Sequence, residues 1–119
     1  MSTLTVQIFA ENLMEVFEHY KRAFNAELLG TAKGSRNELI HLEMDIMGNK
    51  IAVAPHALHE IFKGNVTVIC LVFADRAALM QAYTVLCEDG ISDGLKELTW
   101  SPLEGYVTDK FGVVWCIGL

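Results

Sequence analysis

The chain has 119 residues, enough for one domain, and its 15 acidic and 9 basic residues give a formal charge of −6. A nucleic-acid surface needs clustered basic side chains, which this chain lacks, so we expect no nucleic-acid partner. Hydrophobic residues make up 52% of the sequence. Counted with Gly in place of Tyr, the apolar share exceeds the roughly 45–50% of ordinary soluble domains. The longest apolar run, residues 66–74, is too short for a membrane span. The surplus therefore predicts an apolar ligand cavity, a subunit interface, or both.

The first five residues, Met1 to Thr5, have neither the basic nor the apolar region of a signal peptide, which predicts a cytoplasmic protein. Cys70, Cys87 and Cys116 are odd in number and have no C-x-x-C spacing. This pattern predicts buried free thiols rather than a redox or metal site.

The first half predicts a strand, a helix and three more strands. Leu4 to Ile8 alternates between apolar and polar residues, which is typical of a half-buried strand. Asn12 is a candidate N-cap with Glu15 three residues later. The helix that follows has an apolar face made of Leu13, Phe17, Tyr20 and Phe24. The remaining strands are predicted at Glu27–Lys33, Glu38–Asp45 and Lys50–Ala54, with a turn at residues 47–49.

The second half predicts the same order. A strand at Val66–Phe73 precedes a helix capped by Asp75, whose apolar face is Leu79, Ala82, Tyr83 and Leu86. Three strands are then predicted at Leu95–Trp100, Gly105–Thr108 and Val113–Ile117.

Two pairs of segments match at one offset of 64 residues: residues 9–11 with 73–75, and residues 45–48 with 109–112. We therefore predict an α+β fold, a single domain with two βαβββ modules in tandem at about residues 1–58 and 62–119.

Three motifs resemble those of PhnB-like proteins in the vicinal oxygen chelate superfamily, also called the glyoxalase/bleomycin-resistance/dioxygenase fold. Residues 19–27 are similar to F-Y-x-x-x-F-x-A-E, and residues 41–51 follow H-x-E-x-x-x-x-G-x-x-I. Residues 107–115 follow V-T-D-x-F-G-V-x-W. The resemblance implies a curved mixed sheet around a concave cavity, and a homodimer.

The resemblance also implies where relatives hold a metal, on the first and last strands of each module. Those positions are Thr5, Ala52, Ile69 and Cys116, and none is a His or a carboxylate. We therefore expect no metal site and no cofactor. His56, His59 and Glu60 are interpreted as solvated residues of the connector between the modules.

The predicted cavity is apolar with one polar corner, and it suits a small ligand. If the metal positions of the relatives face the cavity, as the resemblance implies, strand alternation lines it with Gln7, His41, Glu43, Ile69, Leu71 and Cys116. Trp100 is a further candidate, for stacking on a ligand at the mouth. His41 is either a structural histidine or a general base oriented by Glu43, and no catalytic residue is assigned.

The leading hypothesis is a small-molecule-binding protein without the usual metal. The alternative is a metal-dependent lyase, isomerase or dioxygenase of the glyoxalase type, so whether the chain is an enzyme stays open. A methyltransferase is disfavoured because no Gly-rich loop follows a first strand.

Overall fold

Each half of the chain folds into four strands and one helix. The computed structural model describes the backbone of residues 1–119 and every side chain except that of Leu58. It divides the chain into two compact units, Met1–Phe62 and Lys63–Leu119. The first unit contains β1 (Val6–Ala10), α1 (Leu13–Phe24), β2 (Glu27–Lys33), β3 (Leu39–Ile46), β4 (Asn49–Pro55) and a 3-10 turn at His56–Leu58. The second contains β5 (Ile69–Val72), α2 (Arg76–Leu86), β6 (Ile91–Ser92), β7 (Glu104–Thr108) and β8 (Val114–Gly118).

The two units share one sheet topology. Strands run in the order β1-β4-β3-β2 in the first sheet and β5-β8-β7-β6 in the second. The first strand of each unit pairs in parallel with the last, and the other pairs are antiparallel. The predicted α+β fold with tandem βαβββ modules is confirmed.

Helix α1 forms where its sequence predicts. The Asn12 side chain accepts a hydrogen bond from the Glu15 backbone N–H at 3.1 Å, which caps the first turn. Asn25 ends the helix in the left-handed conformation, with φ of 57°. The predicted apolar face is buried and packs against β3 and β4. Neither helix of the described chain is long and apolar enough to span a membrane.

Helix α2 is capped by Asp75, whose carboxylate accepts a hydrogen bond from the Ala77 backbone N–H at 3.1 Å. It packs against β7 and β8. Leu79, Ala82 and Leu86 are buried as predicted, whereas Tyr83 is half-buried. The Tyr83 hydroxyl instead donates to the Ser92 hydroxyl at 3.2 Å, so this side chain ties the helix to β6.

The third strand of the second unit differs from its prediction. No strand covers Leu95–Trp100; β6 lies earlier, at Ile91–Ser92, and only Lys96 forms an isolated bridge, to Glu104. Gly94 separates β6 from this bridge with φ of 99°, a backbone conformation that interrupts a ladder. Beyond the bridge, the backbone turns back between Leu98 and Ser101.

The tight turns of the two final hairpins correspond at an offset of 64 residues, with Gly48 at φ 86° and Gly112 at φ 88°. The helix N-caps, Asn12 and Asp75, correspond at an offset of 63. The second unit therefore has one more residue between its helix and its final turn. The single offset of 64 is wrong for the first strands and helices.

Candidate functional site

Each sheet has one face covered by its helix and one face turned away from it. In the first unit the covered face carries Ile8, Leu42, Met44 and Val53, all buried. Alternate residues of the same strands point the other way. We call that side the first helix-free face and define it by Gln7, Phe9, His41, Glu43, Ala52 and Ala54.

The strand register indicates a groove along β4 on the first helix-free face. Ala52 pairs with Gln7 on one side and with Glu43 on the other, so the three form one row across the sheet. Ala54 pairs with Phe9. Because neighbouring strands lie about 4.8 Å apart, the backbones at Gln7 and Glu43 are about 10 Å apart with only methyl groups between them. The alanines therefore form the floor of the groove and the longer side chains form its walls.

Charged groups converge on the β3 wall of this groove. His41 Nε2 lies 3.3 Å from Glu43 Oε2, and Lys50 Nζ lies 3.6 Å from the same oxygen. The hydrogen bond from His41 lowers the pKa of the Glu43 carboxyl, and the charge of Lys50 acts in the same direction. Residues at i and i+2 of a strand are not usually in close contact, but the side chains of His41 and Glu43 are.

An aromatic pair extends the opposite wall. The rings of Phe9 and His59 have centroids 4.3 Å apart at an interplanar angle of 34°. His59 was interpreted as a solvated connector residue. Sequence reasoning missed its contact with Phe9 because no spacing signal links a loop residue to a strand fifty positions earlier.

In the second unit, two predicted lining residues lie on the covered face. Ile69 pairs with Trp115 and Leu71 with Ile117, and both partners are fully buried. The prediction that Ile69 and Leu71 share a face with Cys116 is wrong. The first-strand offset was one residue too large, and a one-residue slip moves a strand's side chains to the other face.

The second helix-free face carries a row of sulfur and phenol groups. Cys116 pairs with Cys70 on β5 and with Tyr106 on β7. Cys116 is buried as predicted, Cys70 is exposed contrary to prediction, and Cys87 is half-buried. Burial raises the pKa of the Cys116 thiol, and the negative charge of Glu104 raises it further. The adjacent Cys116 raises the pKa of Tyr106.

Trp100 lies in the bend between β6 and β7 and is 74% exposed. Its indole N–H donates to a carboxylate oxygen of Glu104 at 3.3 Å. Of the predicted site residues, the structure brings Gln7, His41 and Glu43 together around one groove of the first unit. It places Trp100 and Cys116 in the second unit.

The positions at which the resemblance implies metal ligands do not fit a metal. In the first unit they are Thr5 and Ala52. In the second, the helix caps move the first-strand position from Ile69 to Val68, and the last-strand position is Cys116. These four side chains offer one hydroxyl and one thiol, a poor set for an ion that prefers imidazole and carboxylate ligands. Among the side chains that the structure describes, no group of three or more His, Cys, Asp or Glu could hold a metal ion.

A separate pocket of about 580 Å³ lies at the amino-terminal end of α1. Its lining is Glu11, Asn12, Leu13, Met14, Glu15, Leu39 and Pro55. None of the predicted site residues lines this pocket. Its two carboxylates offset the positive end of the helix dipole, so nothing marks it as an anion site.

Comparison with known proteins identifies the fold. No family model and no curated protein sequence matches the chain. Solved structures do match: a PhnB protein from Bacillus cereus superposes with a TM-score of 0.85 at 18% identity, covering 99% of each chain. The fosfomycin resistance protein FosX from Listeria monocytogenes superposes with a TM-score of 0.77 at 10% identity, covering 98% of this chain and 91% of FosX. A glyoxylase/bleomycin resistance protein/dioxygenase domain from Frankia gives 0.72 at 11% identity, covering 100% and 95%.

At these identities the likeness shows the fold alone. The chain shares the fold of these structures, with tandem βαβββ modules. The fold that the three sequence motifs implied is therefore confirmed.

Proposed function

We propose that this protein binds a small molecule in the groove of the first helix-free face, without the metal implied for its structural relatives. The observation that carries the proposal is the groove itself, with Ala52 and Ala54 as its floor between walls of polar and aromatic side chains. Such a combination of apolar floor and few directional polar groups is typical of small-ligand sites.

The walls determine which ligands fit. Glu43 is held as an anion by His41 and Lys50, so it accepts hydrogen bonds from an N–H or O–H donor. The Gln7 amide both donates and accepts. The Phe9 ring favours a flat apolar group over Ala54. The expected ligand is a small, partly aromatic molecule with an amine, amide or hydroxyl donor at one end.

Binding is favoured over catalysis by the chemistry of the groove. His41 and Glu43 form a hydrogen-bonded pair of the kind used in acid–base catalysis. The described groove carries no thiol or serine hydroxyl that would serve as a nucleophile, and the implied metal positions lack suitable ligands. His41 therefore acts in the proposal as a structural partner that holds Glu43 in place.

A fragment screen by ¹⁵N-edited NMR tests the proposal, using a panel of aromatic amines and amides against matched fragments without a donor. The expected result is that amines and amides shift the backbone signals of residues 6–10, 41–45 and 50–55. Glu43→Gln should lower the affinity for the amine fragments. Glu27→Gln, on the exposed edge strand β2, should leave that affinity unchanged. The proposal is contradicted if the shifted signals lie outside these segments, or if Glu43→Gln leaves the affinity for the amines unchanged.

We also propose that the protein forms a homodimer in the cytoplasm. The edge strand β2 is exposed along its whole length and includes the apolar Leu28 and Leu29, so a second chain would cover both its backbone and its side chains. The three free cysteines suit a reducing compartment. Sedimentation at micromolar concentration tests the dimer, and a monomer there would contradict it.

A further inference from the structure

Two cysteines lie side by side on the second helix-free face. Cys70 and Cys116 are register partners on the parallel strands β5 and β8. Their Cα atoms are therefore about 4.8 Å apart, and both side chains leave the sheet on the same side. Both thiols are free. This separation allows two sulfur atoms to hold one bridging atom between them with little movement of the backbone.

The two thiols of the pair differ in their exposure to solvent. Cys70 is exposed, which provides access, while Cys116 is buried and anchored within the sheet. Tyr106 pairs with Cys116 across β7, and Glu104 follows on the same face.

We propose that Cys70 and Cys116 form a binding site for a soft monovalent metal cation, of which Cu(I) is the test case. Thiolate sulfur selects Cu(I) over the hard cations that prefer oxygen. Binding forms two metal–sulfur bonds and breaks two S–H bonds, whose protons pass to solvent. The metal keeps its oxidation state, and the bound unit carries one negative charge. A structural zinc ion is disfavoured because it requires four ligands.

Anaerobic titration of Cu(I) tests the proposal, with bathocuproine disulfonate as a chromophoric competitor and the full chain as the binding protein. Wild type should bind one Cu(I) per chain. Cys87→Ser is the matched control because it removes a thiol away from the pair, and it should bind Cu(I) like wild type. Cys70→Ser should lower the affinity by more than the roughly 10–100-fold that loss of an outer-shell partner costs.

Cys70→Ser is the decisive variant because its side chain is exposed and its replacement should leave the fold intact. Cys116→Ser provides the second readout, with circular dichroism and the unfolding midpoint verifying that this buried position remains folded. Equal affinity in wild type and Cys70→Ser overturns the proposal, as does loss of binding in Cys87→Ser. One Cu(I) shared by two chains also overturns it, because the ion would then bridge exposed Cys70 residues. Groove residues take no part, so fragment binding at Glu43 can succeed or fail independently.

Discussion

The two helix-free faces are built alike and carry different chemistry. Across the first, one row of the sheet contains Gln7, Ala52 and Glu43; across the second, the corresponding row contains Cys70, Cys116 and Tyr106. The first row has a methyl group between two long polar side chains, which leaves a groove. The second row has two adjacent thiols, which leave a place for one bridging ion. The shared ladder fixes where the side chains stand, so the difference in binding that we propose rests on the identity of the side chains.

Transferring the thiol pair to the first unit is the most drastic way to test this comparison. Gln7 and Ala52 occupy the same parallel register as Cys70 and Cys116. The double substitution Gln7→Cys with Ala52→Cys should therefore create a second Cu(I) site per chain, measured by the same competition titration.

The matched control is Gln7→Ser with Ala52→Ser, because serine is close in size to the introduced cysteines but has no sulfur. It should bind one Cu(I), as wild type does. If the double cysteine variant is folded and still binds only one, register alone is insufficient, and the surroundings of Cys116 are required.

The two final hairpins differ in how their aspartates are used. The buried Asp109 carboxylate accepts hydrogen bonds from the backbone N–H groups of Phe111 and Val113, and from the indole N–H of Trp115 at 2.9 Å. Trp115 is fully buried. In the first unit, Asp45 accepts from the Gly48 backbone N–H in an exposed turn.

Asp109→Ala should therefore destabilise the protein by about 3 kcal/mol or more, because the buried indole N–H loses its acceptor. Asp45→Ala should cost about 1 kcal/mol, the usual value of one turn hydrogen bond. Urea unfolding of both variants measures the difference. Equal losses would show that Trp115 finds another acceptor.

The sequence predicted most of the fold because local signals agreed with the global pattern. The caps at Asn12 and Asp75, the buried face of α1 and the bounds of β2 all follow from short-range preferences. The aspartate of the terminal V-T-D-x-F-G-V-x-W motif is explained by its hydrogen bonds to the turn and to Trp115. The strand predicted at Leu95–Trp100 was wrong because the pairing with β7 is interrupted at Gly94. A pattern of strand propensities does not reveal such an interruption.

The residues predicted to line the site share one sheet face in the first unit but lie on opposite faces in the second, and an offset error of one residue explains the difference. Strand faces alternate with a period of two, so an error of one in the repeat offset exchanges them. The polar corner of Gln7, His41 and Glu43 did not depend on the offset, and the structure brings it together. The placement of Ile69 and Leu71 depended on the offset. Because the offset was wrong by one residue, the pairing of Cys70 with Cys116 was not predicted. The helix N-caps Asn12 and Asp75 give the correct offset of 63 for the first strands, whereas the match of residues 9–11 with 73–75 gave 64.

Filling the groove should weaken ligand binding without disturbing the second unit. Ala54 is half-buried on the groove floor, and Ala54→Leu places a branched side chain there. The affinity for an aromatic amine found by the NMR screen should fall by about 10-fold or more. Val72→Leu, at an exposed position of the second helix-free face, should leave that affinity unchanged. Similar losses in both variants would show that the fragment does not bind in the groove.

The smallest expected effect is on the pH dependence of the groove. The hydrogen bond from His41, together with the charge of Lys50, lowers the pKa of the Glu43 carboxyl, so the anion persists below the ordinary pH range of a glutamate. Its contribution to stability and to amine binding is present above that ordinary range and is lost as the pH falls through the lowered pKa. The affinity for an amine fragment should therefore stay level into mild acid and then decline. In Glu43→Gln the affinity for the amine fragment should be weaker and should not change over the same pH range. A carbon-detected NMR titration of the Glu43 carboxyl measures the pKa directly, and an ordinary or raised value would mean that His41 and Lys50 do not hold the anion in solution.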